Sequence, residues 1–248
     1  MSAMTAISIL VTVLVTAFIS GIFGLAGGLI LMAVLTATLP LATAMVLHGT
    51  VQLVSNGYRA FRLRGHINWP VVGRYAIGSV VAVALLFSLA WRPDKQAVYL
   101  LLSSIAIFVW IPRSWVQLDA RRPYQAEFAG FVAQGLNTLA GVAGPLVQLF
   151  FVRTDMTRQT IVATEATTQT LAHLVKIVFW SLPVITAAKW SALPPAWLIL
   201  AAIPLSMIGT TLGGRVLDAM NDINFKAWMK WLVTAVCAVM LIRAAGWL

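Results

Sequence analysis

The sequence predicts an all-α integral membrane protein of two repeats. Each repeat is a glycine-broken, re-entrant helical hairpin followed by three transmembrane helices, and the repeats are inverted relative to each other. Composition, a duplicated glycine break and the placement of basic residues predict it. The 248 residues are 60% hydrophobic and only 10% charged, with a mean hydropathy of +0.91. Soluble domains carry about 25% charged residues, so a soluble fold of this length could not cover so much apolar surface. The second observation is the run Gly21-Ile-Phe-Gly24-Leu25-Ala26-Gly27-Gly28. It finds a counterpart 114 positions on, in Gly135-Leu-Asn-Thr-Leu139-Ala140-Gly141-Val-Ala-Gly144-Pro145.

The elements follow from hydropathy. Apolar segments cover 4–38, 40–58, 70–91, 96–111, 126–152, 159–182, 194–215 and 226–247. A full crossing needs about 20 residues, which most of these segments match singly. Residues 4–38 are too long for one crossing and short for two, and 126–152 is broken near its middle. Half-helices of about 13 residues would reach roughly 20 Å and stop within the bilayer. Trp69, Trp91, Trp110, Trp115, Trp180, Trp190, Trp228, Trp231 and Trp247 fall near segment ends, the pattern of an interfacial aromatic belt. The first repeat takes residues 1–111 and the second 126–248. A cytoplasmic connecting loop, 112–125, joins them within one membrane domain. No cleavable signal peptide is expected, since residues 1–20 lack a basic start.

Charge selects the topology. If segments one and five each cross once, the basic residues divide ten against seven. If both are re-entrant, one side gathers Arg59, Arg62, Arg64, Arg74, Arg113, Arg121, Arg122, Arg153, Arg158, Arg215, Lys226 and Lys230. The other side keeps Arg92, Lys95, Lys176, Lys189 and Arg243. Twelve against five obeys the positive-inside rule better, and it places both termini outside. The net charge of +10 lies between apolar runs, not on a polar domain. It therefore reads as a topology determinant, and no nucleic acid is expected.

A helix broken inside a membrane is tolerated where it is buried in protein or lines a polar cavity. Matched breaks in two halves point to a transporter's binding site. The break candidates are Gly24, Ala26, Gly27 and Gly28, with Gly141, Val142, Ala143 and Gly144. Gln52, Ser55, Asn56 and Arg59 share one helical face by their spacing, as do Glu165, Thr168, Gln169, Ala172 and Lys176. Intramembrane polar residues tend to mark pathways, so Gln52, Asn56, Thr168 and Gln169 join the substrate-binding candidates. Thr50 and Thr164 match across the repeat and offer hydroxyls to an oxyanion. Arg59 and Lys176, near segment ends, are expected to face opposite mouths. His173, which aligns with Arg59, is a further pathway candidate, and Glu165 and His48 are candidate proton carriers.

At these residues the chain resembles the TauE/SafE sulfite-exporter family. The run Gly21 to Gly28, the stretch Ala44 to Thr50 and the loop Arg64-Gly65-His66-Ile67-Asn68-Trp69 are similar to family motifs. Gly141 to Leu146 and Ala163-Thr164 resemble their repeat. Ala26 stands where the family commonly has glycine. The resemblance implies a bacterial cytoplasmic-membrane exporter of sulfite, sulfonates or related small organic anions. The alternatives are carriage of another small inorganic or organic acid anion in either direction, or a non-transporting scaffold. The expected partners are a small anionic substrate and the lipid bilayer, and a homo-oligomer is compatible with both. The lone Cys237 excludes an intrachain disulfide and a cysteine metal cluster. No metalloprotease motif or serine elbow occurs, so neither an enzyme nor a cofactor or metal is expected.

Overall fold

The structure is a computed structural model that describes residues 2–23, 26–112, 118–151, 154–219 and 222–246. Ten α-helices account for most of them: α1 (Ala3–Phe23), α2 (Ala26–Thr38), α3 (Leu41–Arg62), α4 (Trp69–Leu89), α5 (Lys95–Trp110), α6 (Gln125–Ala140), α7 (Gly144–Phe151), α8 (Arg158–Thr186), α9 (Ala196–Ala219) and α10 (Asp222–Ala244). Short 3-10 turns, Arg64–His66 and Trp190–Ala192, follow α3 and α8. No strand occurs among the described residues.

Helix limits follow local chemistry. Pro40 precedes α3, where it cannot continue α2. Asn68, Asp94 and Thr157 cap α4, α5 and α8, each accepting a backbone N–H three residues on. Gly141 closes α6 at φ +89°, and a Cβ there would be strained and would meet Met32 Sδ at 2.6 Å. A residue with no Cβ is the one that fits this turn.

The segments predicted from hydropathy thus appear at nearly the expected limits, with 4–38 and 126–152 each divided in two. The expected half-helix of about 13 residues fits α2, which has 13, but not α1, which has 21. Hydropathy does not mark depth, and the break falls at the far end of α1. Four stretches, Ala3–Ile22, Trp69–Leu89, Gln159–Thr186 and Trp190–Val216, are long and apolar enough to cross a membrane.

Helix directions can be read from paired contacts. On α1 and α9, the Leu14 carbonyl faces Gly209 and the Phe18 carbonyl faces Gly213, so the two run parallel. Gly209 and Gly213 let the two backbones approach closely. On α4 and α6, Arg74 pairs with Glu127 and Ser79 Oγ donates to the Gly130 carbonyl, again parallel. On α3 and α8, Gly49 lies against Ile177 and Gly57 against Thr170, so these run antiparallel. α5 and α10 are also antiparallel: Gln96 Nε2 donates to the Ala244 carbonyl, and Trp110 Nε1 donates to Thr234 Oγ1. Arg121 Nη2 reaches Asp155 Oδ2 at 3.1 Å. The residues that flank α6 and α7 are therefore close together.

The outside of the bundle is apolar, and polar side chains are gathered inside it, among apolar core residues. Ile7, Val11 and Val15 on α1 are exposed, as are Leu171, Leu174, Val178 and Leu182 on α8. Gln52, Ser55, Asn56, Gln134, Asn137, Thr168, Gln169, His173 and Lys176 are buried. Water would oppose that distribution and a bilayer favours it. The molecule is a multi-pass membrane protein. Trp69, Trp91, Trp110, Trp190 and Trp231 are exposed as a belt requires. Trp180 is the exception: it is buried, and its Nε1 donates to the Thr138 carbonyl at 2.8 Å. Trp115 and Trp247, like Arg113 and Arg153, lie outside the described residues, as do the side chains of Trp228 and Arg158.

Candidate functional site

The two breaks meet at the centre of the bundle. In the first half, α2 begins just past the break and lays Gly28 against α3. A Cβ at Gly28 would meet Gln52 Nε2 at 3.1 Å, so the absence of a side chain lets the helices close. The Gly28 carbonyl can only accept, so His48 Nε2 donates to it, at 2.8 Å. That leaves His48 Nδ1 as an acceptor for Lys176 Nζ, 2.6 Å away on α8. Lys176 Nζ also donates to the Gly141 carbonyl at 2.9 Å. A continuous hydrogen-bonded chain thus runs from one glycine break, through His48 and Lys176, to the other.

A polar cavity lies beside this chain. α2 and α3 contribute Gly28, His48, Gln52 and Asn56; α6 to α8 contribute Asn137, Val142, Ala143, Gly144, Gln169 and His173. The space is small, about 10 Å³, room for about one water. Both amide atoms of Asn137, Gln169 Nε2 and His173 Nδ1 are buried without a hydrogen-bond partner. Each such orphan costs about 1–3 kcal/mol if nothing satisfies it. Several lie around one cavity, where a water or a polar ligand would satisfy them.

The structure gathers Gly28, His48, Gln52, Asn56, Val142, Ala143, Gly144, Gln169 and His173 from the predicted set. Others lie elsewhere. A Cβ on Gly27 would collide with the Thr16 carbonyl and Ser20, so Gly27 serves the close approach of α2 to α1. Gly141 stands just behind the lining. Thr50 Oγ1 donates to the Val46 carbonyl of its own helix, and Thr168 Oγ1 to that of Glu165. Thr164 Oγ1 accepts the Asn68 N–H. Gly24 lies outside the described residues, as does the side chain of Ala26.

The charged candidates also separate. Lys176 does not face a mouth: it is completely buried, because α8 continues ten residues beyond it to Thr186. Arg59 is half-buried and donates to the Ser20 carbonyl at 3.1 Å. Glu165 is buried, with Oε1 unpartnered. At the end of the bundle, Asp119 accepts from the Arg121 backbone and guanidinium, which hold its carboxyl below the usual carboxylate range.

Asn137 was not anticipated. The rule that singled out Gln52, a polar side chain in an apolar helix, applies equally to Asn137 and to Gln134 on α6. The apolar exterior, the polar residues gathered inside and the small cavity between the two halves all suit a carrier. No curated protein and no solved structure matches the chain. Residues 9–243, nearly its whole length, match the family model described as sulfite exporter TauE/SafE, and the chain therefore belongs to that family.

Proposed function

We propose that this protein exports a small sulfur-containing anion, sulfite or a compact sulfonate, across the cytoplasmic membrane by alternating access around its two glycine breaks. The family suggests membrane transport of sulfur anions. The observation that carries the finer reading is the small cavity between the breaks, with Asn137, Gln169 and His173 unsatisfied around it. Asn137 Nδ2, Gln169 Nε2 and the start of α7 offer donors and a positive dipole end to an oxyanion. The small free volume favours a compact anion over a bulky organic acid.

The packing supports an inverted repeat. α1 lies on α9 as α6 lies on α4, and α3 and α5 each pair with their counterparts α8 and α10. Both of these counterpart pairs run antiparallel, which an axis in the membrane plane requires and an axis along the normal forbids. With ten helices in alternating directions, both described chain ends fall opposite the Arg121–Asp155 end. Lys176 is buried and no longer counts as a topology determinant, so the basic residues divide twelve against four by position. The Arg121 end is then cytoplasmic and the chain ends are outside.

Export of a monoanion runs with an inside-negative potential, which contributes about 2.3 kcal/mol per charge at 100 mV. Uniport is therefore sufficient. Purified protein in liposomes should show counterflow of labelled sulfite. Flux confined to a non-sulfur acid anion would replace the substrate, and absence of flux for every anion in a panel would leave a scaffold.

A further inference from the structure

We propose that Lys176 is the counter-charge of the transported anion, and that it exchanges part of its hydrogen bonding to His48 and Gly141 for the anion. This rests on the transport reading above and adds the residue that holds the charge.

Lys176 is completely buried and carries the potential for a full positive charge in the middle of the bundle. Its partners are His48 Nδ1 and the Gly141 carbonyl, at 2.6 and 2.9 Å. Both are neutral acceptors: His48 already donates through Nε2 to Gly28. No carboxylate pairs with Lys176 among the described residues. Glu165, on the same helix, is eleven residues away, about 16 Å along the axis. The other titratable group beside Lys176 is His173, whose ring is 5.6 Å from that of His48. It adds no negative charge. An ammonium buried without a counter-ion is costly, and pairing it with an anion removes much of that cost.

Geometry places the anion close by. His48 and His173 both line the cavity, as do Val142 to Gly144, which directly follow the Gly141 that Lys176 binds. An ammonium has three N–H groups and two are engaged. Lys176 is not itself among the residues that line the cavity; its neighbours His48, His173 and Val142 are, and an N–H released from His48 or Gly141 is what an oxyanion there would draw on. Because the same nitrogen ties the two breaks together, arrival of the anion loosens the tie, and departure restores it.

The test compares wild type, Lys176→Met and Lys176→Arg in two measurements: Tm of the anion-free protein in detergent, and the sulfite concentration dependence of flux in liposomes. A counter-charge role predicts that the Tm of Lys176→Met stays close to that of wild type when empty, because removal of a lone buried charge offsets the two acceptors, His48 Nδ1 and the Gly141 carbonyl, left without a donor. Its apparent KM for sulfite should rise roughly 10- to 150-fold, the loss of one hydrogen bond to a charged group. Lys176→Arg should keep the lower KM in larger part. A purely structural role predicts the reverse: a lower Tm for Lys176→Met and an unchanged KM. That result overturns the inference and leaves the transport reading standing. Should Lys176→Met not fold, Lys176→Gln decides: a KM equal to that of Lys176→Arg overturns the inference, and a raised KM supports it. Wild type that carries no anion overturns the transport reading itself, and the inference with it.

Discussion

Lys176 on α8 and His48 on α3 face each other with Nζ 2.6 Å from Nδ1, and through them the Gly28 and Gly141 carbonyls are joined. Neither residue belongs to a glycine break, yet together they hold both breaks in register. Removing His48 leaves the buried Lys176 ammonium with the Gly141 carbonyl as its one remaining acceptor among the described residues, and the Gly28 carbonyl without its His48 donor. His48→Leu should therefore cost about 1–3 kcal/mol, seen as a fall in Tm of about 2–10 °C, even though leucine is the more apolar side chain. A Tm equal to wild type would show that the bond contributes nothing.

Asn137 is held at the cavity with both amide atoms unsatisfied. Asn137→Leu should leave the anion-free protein equally or more stable, by up to about 2 kcal/mol, while reducing sulfite flux at least roughly tenfold. Stability and flux falling together would mean that Asn137 supports the fold and does not meet the substrate.

Gly141 combines φ +89° with the close approach of Met32. Gly141→Ala should destabilise by about 1–3 kcal/mol. In a Met32→Ala background the cost of Gly141→Ala should shrink only in part, because Met32→Ala removes the contact but not the backbone strain. Thermal melts of wild type, both single variants and the double variant check this, and a cost that disappears in that background would locate the whole effect in the contact.

Asp119 is tied to Arg121 at the end of the bundle, and its carboxyl is held below the usual range. A carboxylate with a lowered folded-state pKa stabilises above its unfolded pKa, and the contribution disappears as pH falls through the folded value. Asp119→Asn should lower Tm at pH 7 by no more than about 2–4 °C, as for a part-exposed ion pair. The difference should shrink as pH falls below about 4, the unfolded value, and vanish below the lowered folded one. A difference undiminished from about pH 5 to about pH 2 would refer it to packing.

Much of the fold was legible because a bilayer demands long apolar helices, and hydropathy reads these directly. Gly141 was legible as a break because glycine beside Pro145 cannot continue a helix comfortably. Depth was not legible. Lys176 read as a residue near a mouth because the apolar run weakens at Ser181 and Pro183, whereas α8 continues through that proline to Thr186. The partition of glycines was hidden for a related reason. Gly27 and Gly28 are neighbours in sequence, but one faces α1 and the other α3, and only packing decides which lines a cavity. Thr50 and Thr164 matched by repeat position, but their hydroxyls are engaged with backbone groups that no spacing reveals.

The central claim is that the cavity between the two breaks carries a sulfur oxyanion across the membrane. The most direct measurement is counterflow of labelled sulfite into liposomes bearing the purified protein and loaded with unlabelled sulfite, with Asn137→Leu run alongside. The account predicts rapid transient accumulation by wild type, and a rate at least roughly tenfold lower for the variant. Sulfite counterflow at the same rate in both would contradict it.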